Sequence, residues 1–102
     1  MSLSKRYLKS KPLCKVTFKL PKEAAPFSGS VYLVGDFNAW DKQATPMQRL
    51  KNGSFSATLD LPAGSSFQFR YLRDDGSWEN DWQADGYVPN PFGDGENSVV
   101  QL

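Results

Sequence analysis

Three tryptophans are the residues of this sequence best suited to chemistry at a surface, and all three stand in turn-rich stretches. Trp40 follows Gly35, Asp36 and Asn38 in "VYLVGDFNAWDKQ", Trp78 follows the turn "DDGS", and Trp82 sits in "WENDWQ". An indole is a rigid, flat, apolar plate with a single N–H at its edge. A pyranose ring has an apolar C–H face and a rim of hydroxyls, so it matches such a plate. Arg, Lys or Asn beside the plate can then reach vicinal hydroxyls. A saccharide surface therefore needs exposed Trp together with such side chains. Local pattern alone leaves Trp40 and Trp78 open between platform and core, because Trp is on average a mostly buried residue. Phe37 and Trp40 cannot easily both point inward from so short a loop, so Phe37 is expected inside and Trp40 outside. Trp82 is expected to be core or partly buried.

Catalytic alternatives have little to work with. The chain has no histidine, which removes both the commonest general base and the commonest metal ligand. Cys14 is the single cysteine and lies on the apolar side of an alternating run, where a thiol acts as a small hydrophobe. Asp36 and Asp41 flank Trp40 and are the nearest approach to a hydrolytic carboxylate pair. Both read instead as turn-capping side chains. No phosphate-cradling glycine loop, nucleophile elbow or metal-ligand cluster is present, so no catalytic residue, metal or cofactor is expected.

Positioning these tryptophans falls to short strands. A chain of 102 residues is one domain by length, and its 14% aromatic content argues for a packed core. Cys14, Val16, Phe18 and Leu20 alternate with Lys15, Thr17 and Lys19; Phe55, Ala57, Leu59 and Leu61 alternate with polar residues; Phe67, Phe69 and Tyr71 alternate with Gln68, Arg70 and Leu72. Each run reads as a half-buried strand. Val31–Val34 reads as a strand buried on both faces, Met47–Leu50 as a short strand, and Val99–Leu102 as a closing edge strand. "RDDGS" is a hairpin turn, and "PKEAAPFSGS" is a loop. Leu3, Tyr7 and Leu8 have helical spacing that Pro12 would end, so a short N-terminal helix is expected. The pattern is all-β, an immunoglobulin-like antiparallel β-sandwich of six to eight short strands over residues 14–102, preceded by an extension at 1–13.

Net charge is +1 but unevenly spread. Residues 1–22 carry Lys5, Arg6, Lys9, Lys11, Lys15, Lys19 and Lys22 without an acid, whereas residues 74–96 carry Asp74, Asp75, Glu79, Asp81, Asp85, Asp94 and Glu96 without a base. Without a nucleic-acid motif, a solvated strand face is the expected meaning, and no nucleic-acid partner is expected. No stretch has the length of a membrane span, and the basic N-terminus lacks a signal-peptide core. No membrane partner and a soluble, cytoplasmic location are the expectations.

Three motifs in order carry a family resemblance: "VYLVGDFNAWD", "SFSATLDLPAGSSFQFRYLRDDGSW" and "ENSVVQL". From about Cys14 to Leu102 the chain resembles the glycogen-binding module of the AMP-activated kinase β subunit. It is similar as well to the early-set domain that precedes the catalytic barrel in isoamylases and glycogen-branching enzymes, that is, to family 48 carbohydrate-binding modules. The resemblance implies an immunoglobulin-like fold and an α-1,4-glucan such as glycogen or a maltooligosaccharide as partner. It implies that Trp40 and Trp78 bracket the glucan, that Arg70 stands where a basic residue bonds glucose hydroxyls, and that Asn97 does likewise before the last strand. Arg70 takes the place usually held by lysine, the hairpin before Trp78 is one residue longer, and Gly95 replaces a small hydroxyl residue. The supporting leucine near Gly93 is missing, and Trp82 replaces a proline. The expected function is a stand-alone, non-catalytic α-glucan-binding module. The alternative is a protein-interaction domain that docks a glycogen-metabolism enzyme without binding sugar.

Overall fold

The computed structural model describes residues 3–91, 93 and 95–102, so Asp94 of the acidic stretch lies outside the described residues. Among these residues there are nine strands: β1 (Leu3–Tyr7), β2 (Leu13–Leu20), β3 (Val31–Gly35), β4 (Gln48–Arg49), β5 (Phe55–Pro62), β6 (Ser66–Arg73), β7 (Trp78–Glu79), β8 (Gly86–Pro89) and β9 (Glu96–Gln101). They form two antiparallel sheets packed as an immunoglobulin-like sandwich. One sheet has the order β1-β2-β5-β4 and the other β3-β6-β9-β8, with β7 also paired to β6. No helix among the described residues is long and apolar enough to cross a membrane.

Alternation dictates the core. On β2 the side chains of Cys14, Val16, Phe18 and Leu20 are buried, while Lys15 and Lys19 face solvent. Phe69 and Tyr71 of β6 meet them from the other sheet, with Phe18 and Phe69 edge to face at 5.0 Å between ring centres. Burial of each such side chain is worth about 1.5–3 kcal/mol. The outer edge of β3 is covered by the following loop: Leu33 N–H donates to Thr45 O and Met47 N–H to Val31 O, both at 2.9 Å. That removes one exposed edge.

Three expectations are corrected. The N-terminal segment is a strand, not a helix. Leu3–Tyr7 pairs with Cys14–Phe18 of β2, and a helix of so few residues is too short to offset its nucleation cost when a neighbouring edge offers ladder bonds. The last strand is not at an edge, because β9 lies between β6 and β8. β8 itself is missing from the sequence reading. It carries Gly86 and Pro89, residues that disfavour strands, and Pro89 is tolerated because β8 is the edge.

Lys5 of β1 spans the two sheets, with Nζ at 2.7 Å from Asp85 Oδ2 and 2.9 Å from Gln101 O. Burial pushes the Asp85 carboxyl up, but the Gln101 backbone N–H and the Lys5 ammonium outweigh it and hold the group below the usual carboxylate range. A carboxyl lowered on folding stabilises the fold above its unfolded pKa of about 3.9, and that contribution disappears as pH falls through the folded value. The stability gap between the unmodified chain and Asp85→Asn, measured by urea unfolding, is therefore expected to be full at pH 7. It should close as the pH falls from about 3.9 through the lower folded value.

Candidate functional site

The site starts at the end of β3. Gly35 lies against β6 so closely that a Cβ there would sit 2.6 Å from Gln68 O and 2.8 Å from Phe69 Cβ. The chain then makes a single 3-10 turn, Asp36–Asn38. Asn38 pins that turn: its Oδ1 accepts from Gly35 N–H at 3.0 Å, and its Nδ2 donates to Leu33 O at 2.9 Å and Thr45 Oγ1 at 3.0 Å. Phe37 packs inward against Phe18 at 5.5 Å and Phe67 at 6.1 Å between ring centres.

Ala39 and Trp40 follow in the left-handed region, both with φ 57°. That conformation costs an L-residue about 1–2 kcal/mol. It turns Trp40 away from Phe37 and over the outer face of the second sheet. Trp40 N–H donates to Gly35 O at 2.9 Å. Its indole Nε1 donates to Asp36 Oδ1 at 2.8 Å, while Asp36 Oδ2 accepts the Gln68 backbone N–H at 2.7 Å. Asp36 is thus not a simple turn cap. One carboxylate fixes the indole and ties its loop to β6. Asp41 does act as expected, with Oδ1 accepting Gln43 N–H at 2.9 Å. Asp36→Ala is expected to lower stability by about 1–3 kcal/mol, as two charge-assisted bonds are lost, and denaturant unfolding measures it.

Trp78 arrives from the other side. Arg73 N–H donates to Ser77 O at 2.9 Å, and Gly76 takes φ 85°, closing the hairpin expected at "RDDGS". Trp78 then pairs with Leu72 of β6. The Arg70 guanidinium carbon lies 5.5 Å from the Trp78 ring centre, and Lys42 Nζ lies 5.8 Å from it. Both distances are in cation–π range.

A groove of about 420 Å³ opens between the two indoles. The four residues singled out from sequence, Trp40, Arg70, Trp78 and Asn97, all line it. The two indoles are half-buried, whereas Arg70 is 8% and Asn97 3% exposed. The arrangement is two flat walls over a polar floor. Asn97 Nδ2 donates to Gln68 Oε1 at 3.1 Å, and Asn97 Oδ1 accepts from Asn90 Nδ2 at 3.0 Å.

Sequence reasoning missed Gln68, Lys42, Asn90 and Pro91 as lining residues. Gln68 had a signal, since it precedes Arg70 by two on β6 and so shares its face. The others come in on loops and left none.

Trp82 is not in this groove, and its expected burial is wrong: it is 54% exposed. The buried residue of its loop is Asp81, at 1%. Tyr71 Oη donates to Asp81 Oδ2 at 2.8 Å, and Asp81 N–H donates to Ser98 Oγ at 2.9 Å. Burial, then the Asp81 charge and hydrogen bond, push the Tyr71 phenol well above its usual range, so it stays a proton donor. With Asp81 anchored inward, the neighbouring Trp82 is displayed outward.

Residues 15–88 match the family described as "Carbohydrate-binding module 48 (Isoamylase N-terminal domain)". The chain is similar to an alpha-amylase of Niallia circulans, 42% identical over 67 residues that make up 62% of this chain and 5% of that protein. A 1,4-alpha-glucan branching enzyme GlgB of Photobacterium profundum is 41% identical over 46 residues, 44% of this chain and 6% of that enzyme. Another, of Butyrivibrio fibrisolvens, is 38% identical over 67 residues, 63% of this chain and 10% of that enzyme. The chain therefore spans a tenth or less of the length of these relatives.

Proposed function

The chain belongs to the carbohydrate-binding module 48 family, the isoamylase N-terminal domain, and from that premise we propose that it is a non-catalytic module that binds α-1,4-glucans such as glycogen in the groove between Trp40 and Trp78. The observation that carries this reading is the convergence of two indoles, a guanidinium and a carboxamide on one groove. One sugar face lies on Trp40, whose ring is held by Asp36, and a neighbouring sugar lies on Trp78. Arg70 and Asn97 on the floor meet hydroxyls at the sugar rim. The Arg70 fork offers paired donors where an ammonium would offer a point charge.

The names of the relatives, an amylase and two glucan-branching enzymes, support an α-glucan as the ligand class. The groove is lined entirely by residues of this domain, so on this reading the purified chain is expected to bind by itself. A single small groove gives weak affinity, in the range of roughly 1 μM to 1 mM. Indole fluorescence titrated with β-cyclodextrin or glycogen tests the reading: a saturable change at or below millimolar sugar supports it, and an unchanged spectrum refutes it.

A docking role toward a glycogen-metabolism enzyme is the second reading. It is favoured by Phe27, 99% exposed in the loop between β2 and β3 and outside the groove. Capture of such an enzyme that free maltoheptaose does not release, and that Phe27→Ser abolishes, would support it.

A further inference from the structure

A second groove, of about 530 Å³, lies beside Trp82 and shares no lining residue with the first. Its walls come from three separate parts of the chain. Lys19 and Pro21 stand at the end of β2, Asn52 and Ser54 at the turn before β5, and Trp82 and Gln83 on the loop after β7. We infer that this groove is a second pyranose-binding platform, with Trp82 as its stacking plate, and that it takes another sugar unit of the same α-glucan polymer.

The composition selects the ligand. The Trp82 plate, with Pro21 and Leu50 as apolar neighbours and an ammonium, two carboxamides and a hydroxyl around it, suits a ring that is apolar on its face and polar around its rim. An apolar peptide anchor would cover the Lys19 ammonium and the Trp82 N–H without offering either an acceptor, which is costly. The plate is also preorganised. Trp82 is 54% exposed, yet its backbone is held from behind: Asp81 is buried and receives Tyr71 Oη, and Gln83 N–H donates to Asp81 Oδ1 at 2.8 Å. A backbone already fixed on both sides of the indole loses little freedom on binding. The Trp82 indole N–H has no acceptor among the described residues, whereas the Trp40 N–H is taken by Asp36. It is thus available to a hydroxyl.

Trp78 and Trp82 are four residues apart, so their Cα atoms lie within about 14 Å. Two platforms at that separation on a single rigid sandwich can engage one branched polymer together. The second contact then becomes intramolecular, and affinity for polymer exceeds that for a short oligosaccharide.

This inference rests on reading the first groove as a glucan site, and the test separates the two. The whole chain, labelled with nitrogen-15, is titrated with maltoheptaose, and the three indole N–H signals are followed, assigned with Trp40→Phe, Trp78→Phe and Trp82→Phe. The expected result is saturable movement of all three, with the Trp82 signal following its own isotherm and still moving in Trp40→Ala. In that variant Trp82→Ala should weaken binding to glycogen further. Movement of Trp40 and Trp78 with Trp82 unmoved, or a Trp82 response that disappears in Trp40→Ala, overturns the second platform and leaves the first intact. Movement of Trp82 alone supports the second platform and refutes the first. No movement of any indole refutes both.

Discussion

Trp40→Ala is expected to weaken maltoheptaose binding about 30-fold, with the fold unchanged. The loss corresponds to about 2 kcal/mol, the scale on which truncating a central aromatic anchor weakens a binding site. Trp40 is suited to that role because its position is determined twice over. The left-handed backbone at residues 39 and 40 turns it outward, and the Asp36 carboxylate fixes the ring through Nε1. The groove wall therefore exists before the ligand arrives, and little freedom remains to be lost on binding. Trp78→Ala should have a similar effect with one addition. Removing that ring also strips the Arg70 and Lys42 cations of the π face they lie against. Isothermal titration measures both losses, and circular dichroism checks that the sandwich persists. Affinity within threefold of the unmodified chain in both variants would contradict the stacking role.

Gly35→Ala is expected to produce a large loss of stability. An extended φ of −173° suits any residue, so backbone conformation is not the obstacle. Space is: the added Cβ would meet a backbone carbonyl at 2.6 Å and two phenylalanine side chains at 2.8 and 2.9 Å. A backbone carbonyl of β6 cannot swing aside as a side-chain tip could. Overpacking of this kind costs about 3 kcal/mol, which lowers the melting temperature of a domain this size by roughly 12–24 °C. The change should also weaken glucan binding, because displacing β3 from β6 pulls Asp36 off the Gln68 N–H and frees Trp40. Scanning calorimetry checks the first effect. A shift under about 4 °C, less than 1 kcal/mol, would show that the strands part easily there.

The central strands are legible because period-two alternation is written into them. Phe18, Phe69 and Tyr71 reach the core as β2 and β6 require. What escapes a sequence reading depends on partners far along the chain. Leu3–Tyr7 has too few apolar residues to declare its state alone, and it becomes a strand because β2 offers an edge. β8 has Gly and Pro at its ends and exists because β9 pairs with it. The exposure of Trp82 is hidden for the same reason: it follows from the burial of Asp81, which rests on a bond to Tyr71 ten residues earlier.

Of the groove, the residues carried by motifs are legible, namely Trp40, Trp78, Arg70 and Asn97. Their depth is not. Asn97 and Arg70 form a floor already tied into neighbouring side chains instead of reaching freely into solvent. Part of the charge asymmetry resolves into structure. Lys15 stands 3.6 Å from Asp60 across the outer face of one sheet, and Lys5 closes the sandwich edge on Asp85.

The most direct measurement is a crystal structure of the chain soaked with maltoheptaose. Binding in the groove predicts sugar density with one ring stacked on Trp40, a neighbouring ring on Trp78, and hydroxyls within hydrogen-bond distance of Arg70. Sugar bound only elsewhere on the sandwich, with this groove empty at saturating ligand, would contradict it.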